Sequence, residues 1–285
     1  MPIRSKEQTA RRILAQCGRV AVAFSGGVDS SLLLRLALDT LGSANVLALT
    51  ARSSLLPARD LERAATWPGR HGLAGKVNHA FIDIEPLHWR EFAANPADRC
   101  YQCKSRVYPI LQEYACRQGM AILLDGTNHD DLHSGRPGLL AIRDLGIGTP
   151  LAAALLSKQE VRGLARELGL DTWDAPSASC LATRIPEGLP ITQKRLARIA
   201  AFEIYLEQFG YTGCRVRLDR WCEDTVYVEV QEKDLPLLVA GQPRSGLLDF
   251  FSHSGVKKVF VDLKGREDIE GKKYKTSPNP IKNEV

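Results

Sequence analysis

A glycine-rich turn between an apolar segment and a helix is the part of the sequence best suited to binding phosphate. Residues 25–30 read SGGVDS and directly follow a short apolar run, residues 20–24. Adjacent glycines let the backbone approach a ligand without Cβ collisions, and the next amides lie at a helix start, where unpaired N–H groups hold phosphate oxygens. Asp29 could position Mg²⁺ or cap the helix. The candidate nucleotide-binding residues of this turn are Ser25, Gly26, Gly27, Asp29 and Ser30.

This turn lacks the lysine of a Walker loop, GxxxxGK[ST], which reaches the β and γ phosphates of a nucleotide. SGGxDS after a buried strand instead resembles the PP-loop of the N-type ATP pyrophosphatases, which hold the pyrophosphate of ATP while an acceptor attacks the α-phosphate. The resemblance implies ATP and Mg²⁺ as ligands. The alternative is a glycine-rich turn in another kind of nucleotide-binding sheet.

A pair of cysteines two residues apart is the second group with chemical potential. Cys100 and Cys103 could be a redox pair, half of a zinc site, part of an iron–sulfur site or two buried thiols. They follow the third predicted strand, which argues against a thioredoxin-like pair, and no second CxxC or HxxxH completes a zinc site. Cys180, between the two predicted domains, is the remaining partner. A [4Fe–4S] cluster held by three cysteines leaves one iron open for an exogenous ligand, whereas a structural cluster normally has four. The other cysteines are interpreted as buried or incidental thiols: Cys17, Cys116, Cys214 and Cys222.

Strands and helices alternate through the first part of the chain. Apolar runs predict strands at residues 20–24, 45–51, 76–84 and 120–124, separated by helical patterns, with a helix at 90–118 that Pro96 interrupts. This order predicts an α/β fold with a doubly wound parallel sheet of the PP-loop, or HUP-like, type. The fourth strand ends in a loop that contains Gly126 and Asn128, at the carboxyl end of the strand, where open α/β sheets bind ligands.

A capping box of Ser157 and Glu160 predicts the start of a further helix. Lys158 lies in the first turn, where the helix dipole slightly disfavours a cation. It is either a solvated residue or the partner of an anion, like the lysine that related pyrophosphatases bring to the phosphates.

The composition changes from residue 174, where three prolines occur in two connecting segments. A helix at 192–209, a hairpin of 214–220 and 225–231, a short helix at 235–239 and a strand at 256–263 predict a smaller α+β domain. We therefore divide the chain into a PP-loop domain (1–175), a C-terminal α+β domain (176–263) and a polar, flexible tail (264–285).

The composition, 44% hydrophobic and 25% charged over 285 residues, predicts a cytoplasmic protein. No apolar run approaches the ~20 residues that span a bilayer, and residues 1–14 lack the apolar core of a signal peptide. Of the net charge of +5, the tail contributes +2, since it holds six Lys/Arg and four Asp/Glu. No RNA-binding motif is visible. We therefore expect anionic small molecules as ligands rather than nucleic acid, no membrane association, and a homo-oligomer.

Five segments in order resemble the LarE family. They are the PP-loop, GTNHDDLHSGRPGLLAIRDLGIGTPL from residue 126, SKQEVRGLARELGL from residue 157, SASCLATRIPEG from residue 177 and the paired arginines of CRVRL from residue 214. The resemblance covers roughly residues 10–263. Members of the family are ATP-dependent sulfur transferases that make the nickel-pincer nucleotide cofactor of lactate racemase. The resemblance implies that ATP adenylates carboxylates of pyridinium-3,5-biscarboxylic acid mononucleotide, releasing pyrophosphate, and that sulfur then displaces AMP to give thiocarboxylates.

Two sulfur sources occur in the family. In one, a lone cysteine at the position of Cys180 gives up its own sulfur and becomes dehydroalanine. In the other, three cysteines hold a [4Fe–4S] cluster whose open iron carries a sulfide, which implies a sulfide donor as a partner. Because Cys100 and Cys103 accompany Cys180, the chain resembles the cluster type. Sacrificial use of Cys180 is the alternative.

The resemblance also implies roles for further side chains. Those implied to be catalytic are Asp29, Cys180 and Glu203; those facing the nucleotide are Gly126, Asn128, Asp131, Arg136 and Lys158; those binding the substrate are Arg184, Arg215, Arg217 and Glu229. Arg215 and Arg217 are two apart on a strand and share one face, and guanidinium groups bind phosphate or carboxylate through paired contacts. Ordinary loop polarity is the alternative for Asn128, Asp131 and Arg136, and a solvated surface position for the two glutamates.

One segment departs from the family pattern. After residues 261–263 the family usually continues with a Gly-Tyr-Arg-Ser-Gly-type segment, whereas this chain reads KGREDIEGKK, so any role of the segment is open. Three other functions compete with the leading one. They are thiolation of tRNA, as carried out by PP-loop enzymes with three cysteines and a cluster; a non-catalytic nucleotide-binding iron–sulfur sensor; and an amidating synthetase, which would not need the three cysteines.

Overall fold

The computed structural model describes residues 2–240 and 243–266 of the chain. The predicted tail, residues 264–285, therefore lies almost entirely outside the described residues. Within the described part, no helix combines the length and the apolar character needed to cross a membrane.

Four parallel strands form the first sheet, in the order β3-β2-β1-β4. They are β1 (Val20–Ala23), β2 (Val46–Arg52), β3 (Asn78–Asp83) and β4 (Ile122–Leu124). Strand order reverses between β1 and β4, and ligands of open α/β sheets bind at such a switch point. The predicted doubly wound sheet is confirmed, and the glycine turn and the Asn128 loop follow the two strands that meet there.

Helices cover both faces of this sheet. They are α1 (Ile3–Cys17), α2 (Val28–Leu41), α3 (Ala58–Arg70), α4 (Arg90–Ala93), α5 (Arg99–Arg117), α6 (Pro137–Asp144), α7 (Pro150–Ala153) and α8 (Lys158–Glu167). Val20 and Val22 pack in the core with α1, α2 and α8, whereas Ala21 packs in the opposite core with α5, because successive strand residues point to opposite faces. The predicted break at Pro96 is confirmed, since it falls between α4 and α5.

A smaller α+β unit follows. It contains α9 (Gln193–Gln208), β5 (Arg215–Leu218), β6 (Thr225–Glu229), α10 (Leu235–Ala240), α11 (Pro243–His253) and β7 (Lys258–Val261). The predicted hairpin is confirmed as the antiparallel β5–β6 pair, to which β7 adds in parallel. Leu55 and Phe92 of the first unit pack into the core of this second unit, so the two units share apolar contacts beside the segment that carries Cys180.

The described chain ends inside the second unit rather than in a solvated tail. Arg266 is only 5% exposed, and its backbone pairs with Gln231 in a parallel bridge. Residues 264–266 therefore belong to the folded unit, although the sequence placed them in the polar tail.

Candidate active site

Hydrogen bonds between Ser25 and Ser30 connect the two ends of the glycine-rich turn. Gly26 has φ +71°, a conformation that glycine adopts without strain, and Gly27 is extended directly before α2. The amide of Ser25 donates to Oγ of Ser30 over 3.2 Å, and the two hydroxyl oxygens are 3.1 Å apart. The turn thus leads into the N-terminus of a 14-residue helix, whose partial positive charge and unpaired amides favour an anion.

Three loops converge on Asp29, in the first turn of α2. Asn128 donates from Nδ2 to one carboxylate oxygen over 3.0 Å, and Nζ of Lys158 forms an ion pair with the other. The backbone amide of Asn128 donates to Asp131 over 3.3 Å. Burial, and after it the charge on Asp29, raises the pKa of Asp131. Residues that the sequence placed in three separate segments therefore surround one carboxylate pair beside the glycine turn.

The carboxylate pair suits a magnesium ion that arrives with a nucleotide. Over residues 2–240 and 243–266, no group of three His, Cys, Asp or Glu side chains is placed to hold a metal ion. Mg²⁺ is usually bound by one or two carboxylates together with substrate phosphates and waters. Asp29 and Asp131 match that donor set, and a cation between them would relieve their repulsion.

Lys158 owes its position to the predicted capping box. Ser157 and Glu160 exchange side-chain-to-backbone hydrogen bonds of 2.8 and 3.2 Å, and the Lys158 amide donates to Asp130 over 2.7 Å. The helix start is therefore fixed, and its lysine points to Asp29 rather than to bulk solvent. Arg136 differs, because its side chain is 71% exposed although it lies 3.2 Å from Asp131.

Gly126 allows the loop after β4 to lie directly against α2. A Cβ at this position would be 2.8 Å from the backbone nitrogen of Ser30 and 2.9 Å from the carbonyl carbon of Asp29. We expect Gly126→Ala to push the two loops apart and lower the free energy of unfolding by about 1–3 kcal/mol, with weaker ATP binding. Denaturant unfolding and ATP titration measure both. Gly69→Ala is the control, because a Cβ there meets nothing within 4 Å; equal behaviour of the two variants would contradict the expectation.

The three predicted cluster cysteines lie in one region. Burial, and after it charges on Cys180 and Cys100, raises the pKa of Cys103 to about 12. Burial and the charge on Cys100 also raise the pKa of Cys180. Such mutual electrostatic effects require short separations, and Cys103 and Cys180 both pack against the core of the second unit. The thiols from α5 and from the connecting segment therefore lie in the same region, although within the described residues no three of them are placed to hold a metal ion together.

Helix α6 connects the thiol region with the nucleotide loops. A Cβ on Gly138, in its first turn, would lie 3.3 Å from Cδ of Lys104 and 3.5 Å from Cβ of Cys100. The same helix starts directly after Arg136, at the end of the loop that brings Asn128 to Asp29. One continuous segment thus contacts both the PP-loop and α5 at its CxxC.

A cationic cleft of about 330 Å³ lies between α3 and the segment that precedes Cys180. Ser177 and Ser179 contribute hydroxyls to its wall. Arg63 donates from Nε to the carbonyl oxygen of Gly26 over 3.1 Å, so one wall of the cleft contacts the glycine turn. The cleft is lined by two carboxylates, Asp60 and Glu207, and by four arginines, Arg59, Arg63, Arg184 and Arg266. This excess of positive charge suits an anionic ligand.

Arg184 and Glu203 form a buried ion pair at one wall of this cleft. Their exposed fractions are 2% and 1%, and Nε of Arg184 donates to Oε1 of Glu203 over 2.8 Å. The amide of Val216 donates to the same oxygen over 3.1 Å, and Arg59 lies 3.4 Å from the other. Both oxygens are engaged, which excludes the solvated position that the sequence left open for Glu203. The pair also holds the cysteine segment, because Arg184 donates to the carbonyl oxygens of Ser179 and Cys180.

The paired arginines of β5 differ in their partners. Arg217 donates to Glu229 and, over 2.6 Å, to the carbonyl oxygen of Thr183. Glu229 is only 8% exposed, so a solvated position is excluded for it as well. Arg215 has no carboxylate partner among the described residues; burial, and then the charges of Arg266, Arg184 and Arg217, lowers its pKa to about 9. Its Nε is buried without a hydrogen-bond partner in the described structure.

Sequence reasoning missed three arginines of the site. Arg59 and Arg63 are four residues apart on α3 and therefore share a face, which was an available signal. Arg266 lies where the chain departs from the family pattern, and the departure obscured it. Its guanidinium donates to the carbonyl oxygens of Gly213 and Ser177, so this segment reaches the same cleft.

Two relatives match most of the chain in sequence. No family model matches the chain. An uncharacterised protein of Synechocystis is 36% identical over 266 residues, 92% of this chain and 95% of the relative. The pyridinium-3,5-bisthiocarboxylic acid mononucleotide synthase of Lactiplantibacillus plantarum is 34% identical over 228 residues, 80% of each chain. The chain belongs to the LarE family.

Membership in the LarE family confirms that the chain is an ATP-dependent sulfur-transferring enzyme of the PP-loop superfamily. A shorter match supports the superfamily, since the NH(3)-dependent NAD(+) synthetase of Aeropyrum pernix is 47% identical over 67 residues, 23% of this chain and 22% of that one. The product named for the L. plantarum relative is a mononucleotide.

Proposed function

We propose that this member of the LarE family converts carboxylates of pyridinium-3,5-biscarboxylic acid mononucleotide to thiocarboxylates, with ATP activating the carboxylate. The observation that carries the proposal is that one segment, from Asn128 to α6, contacts Asp29 of the PP-loop at one end and Cys100 at the other. The proposal places phosphate chemistry at one end of this segment and sulfur chemistry at the other, as adenylation followed by sulfur transfer requires.

In the first step, a substrate carboxylate oxygen attacks the α-phosphorus of ATP, and the bond from that phosphorus to the pyrophosphate oxygen breaks. The amides of the glycine turn and the hydroxyls of Ser25 and Ser30 bind the departing pyrophosphate. Lys158 adds a positive charge there, and Asp29 with Asp131 would hold Mg²⁺, which would offset the charge of the phosphates. The product is an acyl-adenylate, in which AMP is a good leaving group.

In the second step, sulfur attacks the acyl carbon and the bond to the AMP oxygen breaks. Cys100, Cys103 and Cys180 would supply three thiolates, the number of donors that leaves one iron of a [4Fe–4S] cluster open. Bound there, such a cluster would supply an exchangeable position for sulfide. The presence of Cys100 and Cys103 beside Cys180 supports this arrangement over the sacrificial one, which needs Cys180 alone.

The cationic cleft binds the phosphate of the mononucleotide substrate. Arg215 supports this assignment, because it donates to the carbonyl oxygen of Ser177, which lines the cleft, over 3.1 Å, and the charges of three other arginines lie near it. Glu203 and Glu229 position Arg184 and Arg217 and are not free bases. We also propose that a separate donor supplies the sulfide and that the chain forms a homo-oligomer.

Inorganic phosphate is expected to raise the melting temperature of the protein, and Arg215→Met to remove most of that increase. The variant without phosphate should be at least as stable as the wild type, because the buried charge of Arg215 is unfavourable at neutral pH. Thermal shift across a phosphate titration measures both effects. Arg12→Met, on the exposed side of α1, is the control. An unchanged phosphate response in Arg215→Met would contradict the assignment of the cleft.

The proposed reaction is tested by incubating oxygen-free protein with ATP, Mg²⁺, sulfide and the biscarboxylic mononucleotide. Pyrophosphate, AMP and a thiocarboxylate product should form together and depend on the mononucleotide. Pyrophosphate formation with tRNA and not with the mononucleotide would overturn the choice of substrate. Release of neither product with either acceptor would overturn the reaction.

A further inference from the structure

Asn95 occupies an unusual place in the chain, five residues before Cys100. It is 0% exposed and has φ +59°, a left-handed conformation that asparagine tolerates better than most side chains. A buried polar side chain in that conformation persists only where its surroundings hold it. The hydrogen bonds of Asn95 therefore indicate its structural role.

The side chain of Asn95 fastens the segment that follows Cys180. Its Nδ2 lies 3.3, 2.7 and 2.9 Å from the carbonyl oxygens of Ile185, Pro186 and Leu189. The backbone carbonyl oxygen of Asn95 also accepts a bond of 2.8 Å from the amide of Gly188. Asn95, in the first unit, thus binds the turn at residues 185–189 of the connecting segment. This turn begins five residues after Cys180.

The other end of the Asn95 side chain holds the helix that carries the CxxC. Oδ1 of Asn95 accepts a bond of 3.1 Å from Arg99, the first residue of α5. Cys100 is the next residue. The donors of one amide therefore bind the Cys180 segment, and its acceptor binds the start of the CxxC helix.

We propose that Asn95 is a positioning residue that sets the separation between Cys180 and the Cys100–Cys103 pair. The two halves of the three-thiol group belong to different units of the fold, and Asn95 is the side chain that bonds to both segments within a few residues of the thiols. This inference rests on the proposed function, in which the three thiols act together, and it assigns to Asn95 the role of bringing them together.

The test measures thiol separation directly in full-length, metal-free, oxygen-free protein. In a Cys100→Ser background, dibromobimane bridges only closely spaced thiols, and peptide mass spectrometry identifies the Cys103–Cys180 product. We expect efficient bridging with Asn95 present and a several-fold lower yield in Asn95→Gly, which keeps the left-handed backbone and loses every side-chain bond. Asn95→Asp is the second variant, because it retains the acceptor for Arg99 but cannot donate to the three carbonyls.

A matched control separates positioning from general destabilisation. Thr192→Ala removes the bond from the Arg195 amide that caps α9 and should lower the melting temperature while leaving the bridging yield unchanged. Bridging in Asn95→Gly and Asn95→Asp at the yield of the Asn95 protein, or an equal loss in Thr192→Ala, would overturn the role of Asn95. Absence of bridging in the Asn95 protein would also overturn it.

Iron analysis after anaerobic reconstitution, on chains that retain Cys100, distinguishes this proposal from the proposed function. If chains with Asn95 and Asn95→Gly chains bind the same amount of iron and give the same bridging yield, the cluster is supported. Asn95 then has no role in assembling it. Bridging that depends on Asn95, in a protein that binds no iron, would support the positioning role and contradict the cluster.

Discussion

Replacing Cys180 by Ala is expected to abolish thiocarboxylate formation while a stoichiometric burst of pyrophosphate remains. In the proposed reaction the thiol is needed only after the acyl-adenylate has formed, and the groups proposed to bind the pyrophosphate and its magnesium ion lie on the glycine turn, in Lys158 and in Asp29. Rapid-quench measurement of pyrophosphate, with mass spectrometry of the nucleotide product, separates the two steps.

The matched control for this variant is Cys116→Ala. Cys116 is on the same helix as Cys100 and Cys103 but is exposed, so both steps should proceed as in the unmodified protein. Thiocarboxylate formed at the normal rate by Cys180→Ala would show that sulfur does not pass through this thiol. Loss of the pyrophosphate burst would show that Cys180 belongs to the ATP site instead.

Arg184→Ala is expected to destabilise the protein by about 3–5 kcal/mol, because it leaves a buried carboxylate without its main partner. Glu203 is 1% exposed, and Arg184 also ties the carbonyl oxygens of Ser179 and Cys180 to it. The variant should therefore lose the fixed position of the cysteine segment as well as stability. Denaturant unfolding measures the loss of stability. Iron binding after reconstitution measures the loss of the fixed position of the cysteine segment.

A second substitution tests the cause. Arg184→Ala combined with Glu203→Gln should recover much of the lost stability, since a neutral amide costs less to bury than a charge and its oxygen can still accept from the Val216 amide. Iron binding should stay low, because the arginine that holds the segment is still missing. A double variant no more stable than Arg184→Ala would show that the unpaired charge is not the source of the loss.

The sequence predicted the parts of the molecule that local chemistry determines. The strand, glycine turn and helix at residues 20–41 are specified by an apolar run, two glycines and a second apolar run, and Ser157 with Glu160 marks the next helix start through a capping box. The β5–β6 hairpin followed from alternating residues. Each of these features depends on neighbours within a few positions.

The missed features depend on contacts between distant segments. Helix α6 begins at Pro137, after a loop rich in polar residues, and packs on α5, which is distant in sequence from the loop that precedes it. Helix α11 was also missed. The burial of Glu203 could not be predicted from the sequence, because its partner Arg184 and the Val216 amide lie 19 and 13 residues away. Arg266 enters the cleft through a bridge to Gln231, which no local pattern indicates.

The most direct test of the account counts thiocarboxylate groups formed per protein chain in oxygen-free assays with excess ATP and sulfide. The account predicts many per chain, one AMP for each, about four irons per chain, and Cys180 unchanged in mass. At most one thiocarboxylate per chain, with the loss of one sulfur from Cys180 and no bound iron, would contradict it.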